Sequence, residues 1–140
     1  MKLLRQYIRR IIIESVQIGY PTDVTVEGGY VSGIVHDDEN KIINWCYKNG
    51  VNDQTLQSIT GLPKPIAFLE SVEVEDDYRG KGLGTELVYA FMDEVYKANS
   101  IVLIADLSQS SFLEKWYQSL DFKTIGSDTA GNPVMLFIGL

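Results

Sequence analysis

A glycine-rich turn between a strand pattern and a helix pattern constrains this chain more than any other feature. Residues 66–74 are rich in apolar residues, as in a strand, and Leu83, Leu87 and Phe91 recur at helical spacing. The turn between them is Arg79-Gly80-Lys81-Gly82-Leu83-Gly84. Glycines let successive backbone amides point at one anion near the amino terminus of a helix. We therefore expect this turn to bind a diphosphate.

Spacing excludes two better-known phosphate loops. A Walker loop needs Gly-x-x-x-x-Gly-Lys-Ser/Thr, whereas Lys81 stands between the glycines. The dinucleotide fingerprint needs Gly-x-Gly-x-x-Gly, whereas single residues separate Gly80, Gly82 and Gly84. A glycine-rich segment before a helix can also be an ordinary turn. Its function therefore depends on the residues around it.

The composition fits one globular domain over residues 1–140. Hydrophobic residues make up 45% and charged residues 22%, which is ordinary for a soluble protein. No apolar run reaches the roughly 18 residues of a membrane helix, and arginines interrupt the apolar residues at the amino terminus, unlike in a signal peptide. We expect a cytoplasmic protein without a membrane partner. The oligomeric state stays open, with a homodimer as one option.

The chain is acidic, with a formal net charge of −7. Binding of nucleic acid needs clustered lysine and arginine to neutralise phosphates, so we expect no nucleic-acid partner. Four of the twelve basic residues lie within the first ten positions, namely Lys2, Arg5, Arg9 and Arg10. The rest of the chain is therefore more acidic still, which favours a cationic ligand.

The amino-terminal half predicts a helix followed by strands. Apolar residues at helical spacing predict an amphipathic helix with a basic outer face over residues 2–16. Strand patterns over 23–26, 30–35 and 41–47 predict an antiparallel meander. Residues 52–59 predict a short helix or loop, and 61–65 predict a loop that faces the substrate.

The carboxy-terminal half alternates helices and strands. A helix is predicted over 83–98, a strand buried on both faces over 101–105, and a second helix over 110–120. A hairpin of 122–125 and 134–138 closes the chain. The single cysteine, Cys46, is expected to be a buried, inert thiol. His36 has no neighbouring Cys or second His, and we expect no metal site.

The turn and its flanks resemble the central motif of the GNAT superfamily of acyl-CoA-dependent N-acyltransferases. The strand Leu69-Glu70-Ser71-Val72-Glu73-Val74 leads into Arg/Gln-x-x-Gly-x-Gly/Ala and then a helix. Downstream, Trp116-Tyr117-Gln118-Ser119-Leu120-Asp121-Phe122 is similar to the family's helix end Leu-Tyr-Glu-Lys-Leu-Gly-Phe. The resemblance covers residue 66 to the end. It implies an α/β (α+β) GNAT fold, with a mixed, mostly antiparallel sheet flanked by helices and an atypical amino-terminal helix.

The resemblance also implies acetyl-CoA as donor and an amine, cationic by the charge argument, as acceptor. Backbone groups of Val72, Glu73 and Val74 would pair with pantetheine as an added strand. Ser110 takes the position where many relatives carry an Asn that contacts pantetheine. The residues of the turn that would hold the pyrophosphate are Arg79, Gly80, Lys81, Gly82, Leu83, Gly84 and Thr85.

Three departures from the family pattern stand out. Asp76, where relatives often have Pro, places negative charge near the phosphate site together with Asp77. Asp121 replaces the usual Gly after the helix, and Asp tolerates a left-handed conformation better than most residues. The usual first strand and the two helices that shape the acceptor pocket are replaced by a helix. The resemblance therefore does not identify the acceptor.

Amide formation from a thioester needs a base, a site for the oxyanion and an acid. Glu70, where relatives often have Glu, is the first candidate base, and Glu73, expected on the opposite strand face, is the second. A strand amide near Val74 would meet the oxyanion, and Tyr117 would protonate the leaving thiolate. The alternatives are structural roles for Glu70 and Tyr117, a CoA-binding module without transfer, and an enzyme for longer acyl groups.

Overall fold

The computed structural model describes residues 18–138 and contains a six-stranded sheet in the order β1-β2-β3-β4-β6-β5. The strands are β1 Pro21–Val26, β2 Gly29–His36, β3 Ile66–Val74, β4 Ser100–Ile104, β5 Lys123–Ser127 and β6 Pro133–Ile138. β3 and β4 pair in parallel, and the other neighbours pair antiparallel. This mixed sheet confirms the predicted fold class. The helix predicted over residues 2–16 lies outside the described residues.

Helices cover both faces of the sheet. They are α1 Glu39–Lys48, α2 Asp53–Thr60, α3 Leu83–Glu94 and α4 Leu113–Ser119. α3 and α4 pack with Ala67 and Leu69 of β3, whereas α1 and α2 pack with Ile66 and Phe68 on the other face. β4 contributes side chains to both clusters, as predicted for a strand buried on both faces. Within residues 18–138, no helix is long and apolar enough to span a bilayer.

The strand predicted over residues 41–47 is wrong, because this segment forms α1. The Asp38 carboxylate accepts hydrogen bonds from the backbone amides of Asn40 (2.8 Å) and Lys41 (3.2 Å), which caps the helix. Ile42, Trp45 and Cys46 then fall on one buried face at helical spacing. The β-branched and aromatic residues suggested a strand, but the cap and the spacing decide the structure.

The two segments around α2 have different outcomes. Residues 52–59 were expected to be a helix or a loop, and α2 shows the helix. Residues 61–65 precede the first residue of β3, whereas the cavity that the last residues of β3 line lies at the other end of this strand. The prediction that residues 61–65 face the substrate is therefore not met. Ser100 Oγ donates to the Pro63 carbonyl (3.0 Å), and Lys64 Nζ donates to the Thr60 carbonyl (2.9 Å). These contacts hold the segment against the start of β4 and the end of α2.

A β-bulge interrupts β3 at Glu70. Gly33 of β2 is opposite Leu69, whereas the preceding residue, Ser32, is opposite Ser71. Glu70 therefore has no partner on β2. An extra residue of this kind bends the strand and re-aims its side chains.

The bulge reverses the alternation of side chains along β3. Leu69 contacts the α3 and α4 cluster before the bulge, and Val72 and Val74 contact the same cluster after it. Glu73 therefore lies on the opposite face, as does Glu70, whose carboxylate contacts a residue of α1. The prediction that Glu70 and Glu73 lie on opposite faces is wrong, because simple alternation assumes an unbroken strand.

Candidate active site

A cleft opens where β3 and β4 stop pairing. Their parallel register ends at Leu69 and Leu103, so within residues 18–138 no strand pairs with residues 70–74 of β3 on the side of β4, and this backbone edge is free. A cavity of about 630 Å³ lies between this edge, the turn before α3, the end of β4 and α4. An extended ligand can add to such an edge through main-chain hydrogen bonds.

All the predicted site residues except Lys81 line this cleft. The two motifs that are distant in sequence therefore face one space. The lining residues that sequence reasoning named are Glu70, Val72, Glu73, Val74, Arg79, Gly80, Gly82, Leu83, Gly84, Thr85, Ser110 and Tyr117.

The turn presents its backbone to the cleft. Gly80 and Gly82 have φ values of +75° and +80°, in the left-handed region that favours glycine. A Cβ built at either position meets nothing within 4 Å, so the requirement for glycine is conformational. Gly82 precedes α3, and the amides in the first turn of a helix have no intrahelical acceptor. Amides without an acceptor, at the positive end of a helix dipole, are the groups that an anion site requires.

The basic side chains of the turn make protein contacts. Arg79 Nε donates to the Val74 carbonyl (3.1 Å), and its guanidinium pairs with Asp76 (3.2 Å). The Lys81 ammonium lies 5.9 Å from the centroid of the Tyr78 ring. Arg79 therefore fastens the end of β3 to the turn and partly neutralises the acid that replaces the family's Pro. Lys81 does not line the cleft, whereas Arg79 lines it together with the glycines of the turn.

Tyr117 lies on α4 and is 7% exposed. Its ring centroid is 4.7 Å from that of Trp116 and 5.7 Å from that of Phe122, so the side chain has a packing role. It also lines the cleft. Burial raises the pKa of Tyr117 to about 12. The phenol therefore keeps its proton at neutral pH and can donate a hydrogen bond into the cleft.

A left-handed residue ends α4, as the sequence predicted. Asp121 has a φ of 72°. Its amide donates to the Gln118 carbonyl (3.0 Å), and the amide of Phe122 donates to the Tyr117 carbonyl (3.1 Å). This is the Schellman arrangement, which satisfies the last carbonyls of a helix. Because the Tyr117 carbonyl is one of the two acceptors, this arrangement fixes the backbone of Tyr117 at the end of α4.

Glu70 is exposed at the cleft and accepts a hydrogen bond from Trp45 Nε1 (2.9 Å). Trp45 is 7% exposed and stacks on Phe68, with ring centroids 4.1 Å apart. Sequence reasoning missed Trp45 because it assigned residues 41–47 to a strand. Ile42, Trp45 and Cys46 recur at helical spacing, and this pattern could have identified the helix that carries Trp45.

Sequence reasoning also missed the loop after β4. Asp106 and Gln109 line the cleft beside Ser110. The Asp106 carboxylate accepts from the amide (3.0 Å) and hydroxyl (2.6 Å) of Ser108, and Asn132 Oδ1 accepts from the amide of Leu107 (3.0 Å). The loop is thereby held at the mouth of the cleft. The loop directly follows the buried strand β4, and this position in the sequence could have identified it as part of the site.

Cys46 and His36, for which the sequence predicted no role in the chemistry, do not line the cleft. Cys46 is buried, as predicted, and burial raises the pKa of its thiol to about 11. His36 is also buried, and burial lowers the pKa of its imidazole. In the part of the chain that the structure describes, no three His, Cys, Asp or Glu side chains are grouped so that they could hold a metal ion.

Comparison with known proteins agrees with this geometry. The acetyltransferase (GNAT) family model matches residues 19–122. The solved structure of PH1933 from Pyrococcus horikoshii has a TM-score of 0.53 and 16% identity, and the match covers 81% of this chain and 59% of that one. No curated protein sequence matches the chain with statistical significance.

Two further structures contain CoA groups. Arabidopsis thaliana Naa50, in complex with the bisubstrate analogue CoA-Ac-MVNAL, has a TM-score of 0.52 and 16% identity, over 80% of this chain and 66% of that one. The PaiA N-acetyltransferase from Thermoplasma acidophilum, in complex with coenzyme A, has a TM-score of 0.54 and 12% identity, over 99% and 70%. The chain thus spans less than two thirds of PH1933 and of Naa50. At these identities the likeness shows the fold alone.

Proposed function

The chain belongs to the acetyltransferase (GNAT) family, and from that premise we propose that it transfers an acetyl group from acetyl-CoA to a primary amine of a small molecule or protein. The observation that carries the proposal is the cleft between β3 and β4. A free strand edge, a turn of exposed amides, Glu70 and Tyr117 all face it. An anion site at one end and a candidate base at the other are what a CoA thioester and an amine require.

The donor binds along β3 and the turn. The pyrophosphate lies on the amides between Gly80 and Thr85, where the dipole of α3 favours negative charge. The pantetheine pairs with the free edge over residues 72–74 as an added strand. Gln109 and Ser110 face the same space and offer polar groups to its amides.

Transfer proceeds by direct attack through a tetrahedral intermediate. The cationic amine first loses one proton to solvent. The neutral nitrogen then forms a bond to the thioester carbon, a second proton passes from it to the Glu70 carboxylate, and the carbon–sulfur bond breaks. A strand amide near Val74 meets the oxyanion. Tyr117, whose pKa is raised to about 12, stabilises the leaving thiolate by donating a hydrogen bond. A thiol with a pKa of roughly 8.5 is a stronger acid than this phenol, so the role of Tyr117 changes from the expected proton donor to a hydrogen-bond donor, and the thiolate takes its proton from solvent.

The acceptor is proposed to be a cationic amine. The acidic chain favours its approach, and Glu70 and Glu73 lie on one face of β3 beside the cleft. The bisubstrate analogue bound to Naa50 joins CoA to a peptide sequence. Peptides with a free amino terminus therefore belong in the acceptor panel together with polyamines and lysine peptides.

Release of free CoA thiol from acetyl-CoA, measured with this panel, tests the proposal. We expect thiol release with at least one amine, an added mass of one acetyl group on that amine, and a large loss of turnover in Glu70→Gln. Calorimetry with acetyl-CoA, CoA and longer acyl-CoAs checks donor binding separately. Tight binding without acetylation of any amine would support the CoA-binding module, and faster turnover with longer acyl-CoAs would show a different donor.

A further inference from the structure

One buried side chain of α1 contacts the carboxylate that is proposed as the base. The indole Nε1 of Trp45 donates to Oε2 of Glu70 at 2.9 Å. The two residues are 25 positions apart in sequence and lie on α1 and β3. This hydrogen bond therefore links the helix pair that follows β2 to the reacting end of the cleft.

The packing holds the indole in one place. Trp45 is 7% exposed, and its ring stacks on Phe68 with 23° between the planes. Phe68 is fully buried and lies two residues before the bulge. The donor is thus fixed by the core, whereas the acceptor is an exposed carboxylate on a residue without a partner on β2.

The chemistry of the two groups divides the carboxylate oxygens. An indole N–H donates and cannot accept, so Oε2 must remain an acceptor while the contact lasts. The indole hydrogen bond occupies Oε2, which leaves Oε1 as the oxygen available to the amine. A hydrogen bond to a charged group is also stronger than one between neutral groups, so the contact holds the carboxylate firmly.

We propose that Trp45 is a positioning residue for the transfer reaction: its indole N–H holds Oε2 of Glu70 and turns Oε1 toward the acceptor amine. This role rests on the proposed function, in which Glu70 takes the proton as the carbon–nitrogen bond forms. It assigns to α1 a part in catalysis that does not require contact with either substrate.

The charged and titratable groups near Glu70 come from three elements. His36 on β2 interacts electrostatically with Glu70 and with Lys41 of α1, and burial lowers the pKa of the imidazole. Glu73 lies on the same face of β3, and Asp106 lines the cleft from the end of β4. Trp45 is uncharged at every pH, so its effect on Glu70 is separable from theirs.

A double-mutant cycle tests the role. Trp45→Phe keeps an aromatic ring on Phe68 and removes the N–H, and Glu70→Gln keeps an acceptor oxygen and removes the base. We expect Trp45→Phe to lower kcat about tenfold, as for loss of a hydrogen bond to a charged group, with the KM for acetyl-CoA unchanged. The double variant should lose no more than Glu70→Gln alone, since Trp45 acts through Glu70. Tyr47→Phe, an exposed ring on the same helix, is the control and should match the wild type.

The outcomes separate the inference from the proposed function. Wild-type kcat in Trp45→Phe, or losses that multiply in the double variant, would overturn the positioning role while thiol release by the wild type upholds acetyl transfer. Full activity in Glu70→Gln would overturn it as well. Absence of thiol release by the wild type with every amine would end the proposed function, and the positioning role with it.

A second readout does not depend on turnover. The indole N–H signal of Trp45 in a two-dimensional NMR spectrum is identified by its disappearance in Trp45→Phe. In Glu70→Ala this signal should move in the direction of a weaker hydrogen bond. An unchanged signal would show that the contact does not exist in solution and would overturn the inference.

Discussion

Gly28, in the turn between β1 and β2, lies directly against the ring of Tyr78. A Cβ built at Gly28 would overlap three atoms of that ring, and the φ of Gly28 is +92°. The Tyr78 hydroxyl also donates to the Glu27 carboxylate (2.8 Å). Tyr78 immediately precedes the glycine-rich turn before α3, so the end of the first hairpin sets where that turn lies.

We predict that Gly28→Ala destabilises the protein and weakens acetyl-CoA binding. A left-handed conformation costs an L-residue about 1–2 kcal/mol, and the overlap with Tyr78 adds to that cost. Chemical denaturation and calorimetry with acetyl-CoA measure the two effects. Gly131→Ala is the control. Gly131 has a similar φ of +87°, but a Cβ built there meets nothing within 4 Å, so this variant should lose stability and keep its affinity for acetyl-CoA. Unchanged affinity in Gly28→Ala would show that the hairpin does not position the turn.

Tyr117→Phe should reduce turnover. We expect kcat at saturating acetyl-CoA to fall about tenfold, because the thiolate loses a hydrogen-bond donor. Because burial raises the pKa of Tyr117 to about 12, the phenol remains a donor well above neutral pH, and its ionisation should cause no fall in kcat up to about pH 10. Steady-state kinetics against pH measure both, with the exposed Tyr20→Phe as control. Wild-type turnover in Tyr117→Phe would leave this ring a packing role only.

Glu94 should make stability depend on pH. It is 1% exposed, its Oε2 has no hydrogen-bond partner within the described residues, and burial raises its pKa from 4.5 to about 7. The folded state thus holds a proton that the unfolded state releases, so this contribution is complete below about pH 4.5 and is lost as the pH rises to about 7.

The matching measurement compares melting temperatures of the wild type and Glu94→Gln from pH 4 to 8. The variant should gain stability relative to the wild type as the pH rises through this window. Asp77→Asn removes an exposed acid and should show no such trend. A constant difference between the wild type and Glu94→Gln across the window would contradict the prediction.

Asp121 offers a stabilising substitution. Its φ of 72° suits glycine better than aspartate, so Asp121→Gly should raise the free energy of unfolding by roughly 0.5–1 kcal/mol. Asp121→Ala should lower it, since alanine is less tolerant of this conformation than aspartate. Urea denaturation measures both variants. Shifts of the same sign would mean that the backbone conformation at this position does not limit stability.

The sequence predicted the part of the site that depends on local backbone chemistry. Glycines at positions 80, 82 and 84 before an apolar helix pattern led to the anion-binding turn, and Asp121 was expected in a left-handed conformation because it replaces a glycine. These features depend on a few neighbouring residues, so they are visible in one sequence. The resemblance then predicted that Tyr117 would share a site with the turn, and both line the cleft.

The features that sequence reasoning missed depend on tertiary contacts. The bulge at Glu70 is a property of the pairing between β2 and β3, in which β3 has one extra residue. The residue type at position 70 does not predict it. α1 was mistaken for a strand because Ile42 and Ile43 also suit a strand, although the Asp38 cap and the helical spacing of the buried residues indicate a helix. The contact between Trp45 and Glu70 depends on both features, so it was out of reach.

The two helices between β2 and β3 begin and end at one place on the sheet. His36, the last residue of β2, is opposite Ile66, the first residue of β3. The excursion over residues 37–65 therefore has adjacent ends, and joining them by another segment carries little chain-closure entropy. A segment grafted between these two positions would replace α1 and α2, including the Trp45 that contacts Glu70, while leaving the glycine-rich turn before α3 on its own stretch of chain. In this layout the support of the Glu70 side chain can change while the turn before α3 stays the same.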